Sequence, residues 1–356
     1  MKAKNWEVGS TWYADNYNRG NDYQTRICHI EEERGVTLLS TCRSAISTVL
    51  NHVGRGKRAL VPSFTCHSVV SPFVDAGYLV KGYPLNENLQ IDIEELSSIV
   101  DSFRPDVILM HGYFGFDTVS AASKLIEKCR AQGVVVIEDM TQTMFSDFAR
   151  PATDYIVGSI RKWFPVPDGA FLSNIRIGGL SEDHELAEAK IEAMRAKNNY
   201  IVNGNGTKDF MTKFSAAENI LDSRTQPFAI SSYTLSAIDD VDLYGVAKLR
   251  RNNYNLLAER ILPHSEISVI FPMATEDVVP FLLPVYIREG RSEFQKYMAQ
   301  HNVYPTIIWK CPEELEKELY PAVQNIYNNI LCFHIDQRYD KGDMSKVADI
   351  IDSYFN

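Results

Sequence analysis

The chain has 356 residues, of which 45% are hydrophobic and 23% are charged, a composition typical of a globular protein larger than one ordinary domain. Its formal net charge of -10 at pH 7 would repel a phosphate backbone, so we expect no nucleic-acid partner. The six cysteines form no Cys-x-x-Cys pair, the first ten residues lack a signal-peptide core and every apolar run is too short for a bilayer, so we expect a cytoplasmic protein without metal, disulfides or membrane contact.

Short apolar runs alternate with longer amphipathic stretches in the first half of the chain. This pattern predicts an α/β fold with a largely parallel sheet covered by helices. The predicted strands are 58–61, 78–83, 106–110, 134–138, 155–159 and 170–173. The predicted helices are 43–52, 66–75, 91–102 and 119–131, the last followed by a helix-ending glycine at Gly133.

The second half of the chain has a different pattern. A polar stretch, 198–208, predicts a mobile loop, and one long helical pattern after Ser231 leads away from the sheet. Beyond it, strands 281–287 and 330–334 alternate with helices 292–300 and 344–354, which predicts a small α+β domain. We therefore expect an N-terminal segment 1–35, a large domain 36–240 and a small C-terminal domain 241–356.

The first polar motif, Ser40-Thr41-Cys42-Arg43-Ser44, opens a predicted helix. The free N–H groups and the dipole at a helix N-terminus can hold a phosphate. Residues of the same kind also cap helices that bind nothing, so the motif alone fits either interpretation.

The second motif follows the strand 134–138, where Glu138 and Asp139 precede Gln142. In open α/β sheets, ligands bind at the carboxyl ends of the strands. In an isolated segment, Asp139 would be a helix cap and Glu138 a surface charge. A functional interpretation therefore needs a cationic partner.

That partner is supplied by the third motif, in which the strand 155–159 ends at Ser159 and is followed by Arg161 and Lys162. A lysine just beyond a strand is usually a surface residue. Pro165 and Pro167 indicate instead that this lysine lies in a constrained loop between two strands.

The order of the three motifs resembles that of fold-type-I pyridoxal-phosphate (PLP) enzymes and, within them, the DegT/DnrJ/EryC1/StrS aminotransferases. The segments 61–65 and 137–142 are similar to that family's Pro-Ser-Phe-Thr and Ile-Glu-Asp-x-x-Gln. The resemblance covers most of the chain. It implies an aspartate-aminotransferase-like fold with a PLP-binding large domain and a smaller C-terminal domain.

The resemblance also assigns catalytic roles. Lys162 would bond to the aldehyde carbon of PLP and later carry a proton between substrate and cofactor. Asp139 would keep the pyridine nitrogen protonated.

Further cofactor contacts follow from the same resemblance. Gln142 matches a residue near the ring hydroxyl. Cys66 stands where the family commonly has an aromatic residue stacked on the ring, which leaves Cys66, His67 or Phe64 as candidates for that contact. The positions that hold the phosphate are Thr41, Cys42, Arg43 and Ser159. Because the family commonly has Gly-Thr at Cys42-Arg43, the Arg43 side chain is a candidate for the phosphate here.

The implied reaction is amino transfer from an amino acid, first of all L-glutamate, to a keto acceptor such as a nucleotide-linked keto sugar, in a homodimer. Two alternatives remain: another PLP reaction (lyase, dehydratase or decarboxylase) and a catalytically silent binding or regulatory homologue. Dehydratases of this family replace the lysine, so Lys162 favours transamination.

Overall fold

The computed structural model describes residues 5–13, 35–54, 56–224, 226–239, 241–317 and 319–355. Most of the N-terminal segment predicted at 1–35 therefore lies outside the described residues. The strands are β1 (Val8–Gly9), β2 (Val36–Leu39), β3 (Arg58–Pro62), β4 (Leu79–Tyr83), β5 (Val107–His111), β6 (Val135–Asp139), β7 (Tyr155–Ser159), β8 (Ala170–Ser173), β9 (Ile267–Val269), β10 (Leu283–Ile287), β11 (Val303–Tyr304) and β12 (Ile330–Phe333).

A seven-stranded sheet with the order β2-β8-β7-β6-β5-β3-β4 contains every strand from β2 to β8. Strands β3 to β7 pair in parallel, whereas β8 is antiparallel to both β7 and β2. The prediction of a mostly parallel sheet is confirmed. Each of its six predicted strands is present, with ends within one residue of those expected.

The described residues contain twelve α-helices. They are α1 (Cys42–Val53), α2 (His67–Asp75), α3 (Ile93–Phe103), α4 (Ser123–Ala131), α5 (His184–Asn203), α6 (Phe210–Asp222), α7 (Ser232–Ile238), α8 (Leu243–Ile261), α9 (Arg291–Gln300), α10 (Glu313–Glu316), α11 (Pro321–Asn329) and α12 (Lys341–Phe355). The four helices predicted in the first half are present. Gly133, with φ of 87°, follows α4 as expected.

Helix α1 shows why these segments form where they do. Thr41 caps it by accepting a hydrogen bond from the N–H of Ser44, and Gly54 ends it in the left-handed conformation. Between these caps Ile46, Val49 and other apolar side chains are buried against the sheet. Burial of each such side chain stabilises the fold by roughly 1.5–3 kcal/mol. The packing and the two caps therefore favour the same helix.

Side chains of the central strands alternate between two cores. In β5, Val107 and Leu109 pack under α1 and α2, while Ile108 and Met110 face the other way. That second core continues into the C-terminal sheet, whose order is β12-β10-β9 with both pairs antiparallel. The shared core positions the C-terminal part of the chain against the edge where the parallel strands end.

Two predictions in the second half are wrong. The loop expected at 198–208 begins only after Asn203, because α5 continues until Gly204 (φ of 66°) and buries Ile201. The single long helix expected after Ser231 is two helices, because Asp242 accepts a hydrogen bond from Gly245 N–H and caps a new one.

Candidate active site

The parallel strands β5, β6 and β7 end side by side, at His111, Asp139 and Ser159. A cavity of about 470 Å³ opens at this edge, as expected for an open α/β sheet. It is lined by all eight residues that the sequence singled out: Thr41, Cys42, Arg43, Cys66, Asp139, Gln142, Ser159 and Lys162.

Lys162 ends a single 3₁₀ turn, Ile160–Lys162, between β7 and β8. The next residue, Trp163, is fully buried, donates from its ring N–H to the carbonyl of Thr141 (2.6 Å) and accepts from Gln337 at its own carbonyl (2.7 Å). The guanidinium of Arg250 lies 4.6 Å from the Trp163 ring centre. These contacts confirm the prediction of a constrained loop.

The amine of Lys162 lies in the cavity among charged groups. The charge of the adjacent Arg161 and burial together lower its pKa to about 8, although Cys66 and Glu218 act in the opposite direction. More of the amine is therefore uncharged near neutral pH than in an ordinary lysine, and the uncharged form is the one that attacks a carbonyl carbon.

Asp139 is only 3% exposed. Burial by itself raises the pKa of this carboxyl, but the neighbouring His111 and hydrogen bonds from Thr141 outweigh burial, so the pKa lies below its usual value. Its Oδ1 accepts from Thr141 N–H at 2.8 Å. Residues 141–145 form a turn and not a helix, so the alternative that Asp139 is a helix cap is wrong.

Glu138 is also buried, and the alternative that it is a surface charge is wrong. Its side chain is 2% exposed and forms an ion pair with Nη1 of Arg150. Arg150 donates in addition to the carbonyl of Thr143, at 2.7 Å. This pair braces the turn that follows Asp139.

Gln142 lies within that turn and lines the cavity. Its Oε1 accepts from Phe114 N–H at 2.8 Å. The side-chain carbonyl is therefore engaged with the backbone, which leaves the amide NH₂ as the group available to a ligand.

The first turn of α1 forms a second wall. A helix cannot supply internal acceptors to its first N–H groups, and Thr41 Oγ1 serves only that of Ser44, at 3.1 Å. The N–H groups of Cys42 and Arg43 remain for a ligand. The Arg43 guanidinium itself pairs with Asp222 (2.9 Å), and burial raises the pKa of the Cys42 thiol, which stays uncharged.

Cys66 immediately precedes α2, and its side chain makes no cap hydrogen bond there. Burial raises the pKa of its thiol, although the charge of Lys162 acts in the opposite direction. Trp309, from the C-terminal part, lines the same cavity and lies 5.6 Å from the His111 ring. Trp309 is one of the aromatic residues that line the cavity, together with Trp12, Phe214 and Phe281.

Several lining residues escaped the sequence reasoning. His111 ends a strand just as Asp139 and Ser159 do, so the rule that ligands bind at strand ends would have found it. Lys190 and Glu218 lie on α5 and α6, two helices that were not predicted. Trp309 lies in a segment without regular structure, and no local pattern marks it.

The described residues contain no group of three or more His, Cys, Asp or Glu side chains arranged for a metal ion. Within the same ranges, no helix is long and apolar enough to cross a membrane. The cysteines described there are free thiols.

No family model matches the sequence, and no curated protein matches it either. Solved structures do share its fold. Aminotransferase TlmJ from Streptoalloteichus hindustanus is 15% identical, with a TM-score of 0.68 over 94% of this chain and 91% of that one. A DegT DnrJ EryC1 StrS aminotransferase from Brucella abortus is 14% identical, with a TM-score of 0.62 over 95% and 92%.

A third structure, Spr1654 from Streptococcus pneumoniae in its PLP form, is 12% identical, with a TM-score of 0.67 over 94% of this chain and 92% of that one. The expected aspartate-aminotransferase-like fold is thereby confirmed. The chain has the architecture of the DegT/DnrJ/EryC1/StrS-type aminotransferases, at a sequence identity that shows the fold alone.

Proposed function

We propose that this protein is a PLP-dependent aminotransferase that moves an amino group from an amino acid, first of all L-glutamate, to a small keto acceptor. The observation that carries the proposal is one cavity holding the amine of Lys162, the carboxylate of Asp139 and the first turn of α1. The similarity in fold to TlmJ and to the aminotransferase from Brucella abortus supports it.

The residues of the cavity fit PLP in three ways. An amine with a pKa of about 8 suits the aldehyde. A buried carboxylate with a lowered pKa suits a pyridine N–H. Free N–H groups at a helix N-terminus suit a phosphate. A volume of about 470 Å³ is within the range of small-molecule sites.

When bound, PLP supplies an electron sink for the carbon that carries the amino group. Asp139 keeps the ring nitrogen protonated, because an adjacent ionised carboxylate favours the charged form. His111 supports the ionised state of Asp139. Gln142 donates its amide NH₂ towards the ring hydroxyl, since its carbonyl is engaged with Phe114.

Lys162 would also serve as the acid–base group of the reaction. When it is not bonded to the cofactor, its amine would be the base that takes the proton from the substrate carbon and then the acid that delivers this proton to the cofactor carbon. The short turn that carries Lys162 and the buried ring of Trp163 limit how far this amine can move. That restriction favours proton transfer between two nearby atoms.

The acceptor and the cellular setting are part of the same proposal. Nucleotide-linked keto sugars are the first acceptor class to test, because the resemblance to the DegT/DnrJ/EryC1/StrS family points to them. The protein would act in the cytoplasm as a homodimer. Stabilisation of the protein in thermal melts by individual nucleotide sugars would narrow the acceptor class.

A single-turnover experiment tests the reaction. Protein loaded with PLP is mixed with L-glutamate, and we expect the visible band of the lysine-bound cofactor to disappear as 2-oxoglutarate is released. Glutamine, alanine and aspartate serve as alternative donors, and Lys162→Ala is the control that should not respond. If no donor changes the spectrum, amino transfer is wrong and elimination or decarboxylation takes its place. A protein that never acquires the visible band would be a silent homologue.

A further inference from the structure

Arg161 places a guanidinium in the cavity wall between Ser159 and Lys162. Its side chain is 20% exposed and forms an ion pair with Glu218, whose Oε1 lies 3.8 Å from Nη1, a distance too long for a hydrogen bond. In the described part of the chain, this guanidinium has no hydrogen-bond acceptor. Because Arg161 also lines the cavity, its N–H donors are available to a ligand there.

The groups around Arg161 leave a surplus of positive charge. Lys190 of α5, with a side chain only 7% exposed, forms an ion pair with Oε1 of the same Glu218. Burial works to raise the pKa of Glu218, but the charges of Arg161 and Lys190 lower it to about 2. Two cations thus share one carboxylate, and a partly buried surplus charge favours a bound anion.

The surplus lies close to the first turn of α1. Burial raises the pKa of the thiol of Cys42, the first residue of that helix, and the charge of Arg161 acts in the opposite direction. Arg43, the other arginine at this turn, is already paired with Asp222 at 2.9 Å. Arg161, by contrast, has no hydrogen-bond acceptor in the described part of the chain. An anion held by the N–H groups of α1 would therefore find in Arg161 a cationic partner whose donors are available.

We propose that Arg161 binds the phosphate group of PLP, a phosphate monoester, together with the first-turn N–H groups of α1. Lys190 and Glu218 act as positioning residues that hold the guanidinium at the cavity wall. This inference rests on the proposed function, which places PLP in the cavity. It differs from the expectation for Arg43, because an arginine in an ion pair has less to offer an incoming phosphate.

The test compares PLP with pyridoxal, which has the same aldehyde ring and no phosphate. Protein freed of cofactor is titrated with each compound, and binding is followed by visible absorbance. We expect Arg161→Gln to weaken PLP binding by roughly 10- to 100-fold relative to pyridoxal binding, the range for a lost charge-assisted hydrogen bond. The accompanying rise in the pKa of Lys162 affects both compounds alike, because both react with the same amine. Arg161→Lys, which keeps the charge but loses the fork geometry, should fall in between.

Arg130→Gln is the matched control, because Arg130 pairs with Asp154 at the opposite ends of the strands. It should change neither affinity. As a second measurement, inorganic phosphate should raise the melting temperature of the cofactor-free wild-type protein more than that of Arg161→Gln.

Three results would overturn the inference while leaving the proposed function intact. Equal losses of PLP and pyridoxal binding would make Arg161 only a support for the lysine turn. Unchanged affinities with a raised KM for the amino donor would assign Arg161 to the substrate. A phosphate-selective loss in Arg43→Gln and not in Arg161→Gln would assign the phosphate to Arg43. If the wild-type protein binds neither compound, the proposed function fails and the inference falls with it.

Discussion

His111 Nδ1 lies 3.5 Å from Asp139 Oδ2. The two residues are direct partners in the parallel register of β5 and β6, and each is 3% exposed. Among the described residues, neither ring nitrogen of His111 has another hydrogen-bond partner. The imidazole thus lies beside the carboxylate, and no other hydrogen bond in the described residues competes for its nitrogens. It offsets part of the cost of burying the charge of Asp139.

Replacing His111 by Phe should raise the pKa of Asp139, because burial would then act with less opposition. A carboxyl with a raised pKa accepts a proton at higher pH, so the acid limb of the pH–activity profile should move upward. The measurement is the rate of the glutamate half-reaction as a function of pH. An unmoved acid limb would show that His111 does not influence the carboxylate.

Asp139→Asn should keep the fold and lose turnover, since an amide cannot hold a ring nitrogen protonated through charge. We expect a fall in kcat of roughly 10²- to 10⁴-fold, the usual range for a lost acid–base contribution. Asp101→Asn, an exposed position on α3, is the control. Near wild-type activity with bound cofactor would reduce Asp139 to an acceptor for Thr141 N–H.

Lys162 should bond to PLP faster as the pH rises through about 8, because only the neutral amine is a nucleophile. Arg161→Gln removes the largest cause of the low pKa and should move this midpoint to higher pH, while Cys66, Glu218 and Lys190 still face the amine.

Borohydride reduction followed by peptide mapping should find the pyridoxyl group on Lys162. Labelling of a different lysine would contradict the assignment.

Arg150→Ala should destabilise the fold by roughly 3–5 kcal/mol, because it leaves the buried charge of Glu138 without its partner. Arg130→Ala breaks a half-exposed pair with Asp154 and should cost about 1 kcal/mol or less. Urea denaturation measures both free energies of unfolding. Equal, small losses would mean that water or another group compensates Glu138.

The protein should be a homodimer whose active site lies near the subunit boundary, as the resembled family implies. Light scattering at assay concentration should give twice the mass of the chain. An active monomer under the same conditions would show that one chain completes the site alone.

Local patterns in the sequence were enough to predict the parallel sheet and the order of its polar strand ends. Buried strands are read from short apolar runs, and a turn or a cap depends on neighbouring residues such as Thr41 and Ser44. For that reason six of the seven strands of the large sheet, α1 and the turn carrying Lys162 were predicted within a residue or two, whereas β2 was missed. The same patterns failed at 198–208, where polar residues conceal the last turns of α5.

The charge environment of the cavity was decided only by the tertiary structure. Lys190, Glu218 and Trp309 are far from Lys162 in sequence, and they reach the cavity through the packing of α5, α6 and the C-terminal part of the chain. The register of β5 and β6 sets His111 beside Asp139. Both arginines form ion pairs with α6, but only the pair of Arg43, at 2.9 Å, is short enough for a hydrogen bond, whereas that of Arg161 is 3.8 Å long. The periodicity of apolar residues depends only on residues that are close together in the sequence. A pKa value depends on every charge and every buried atom within several ångströms in the folded structure.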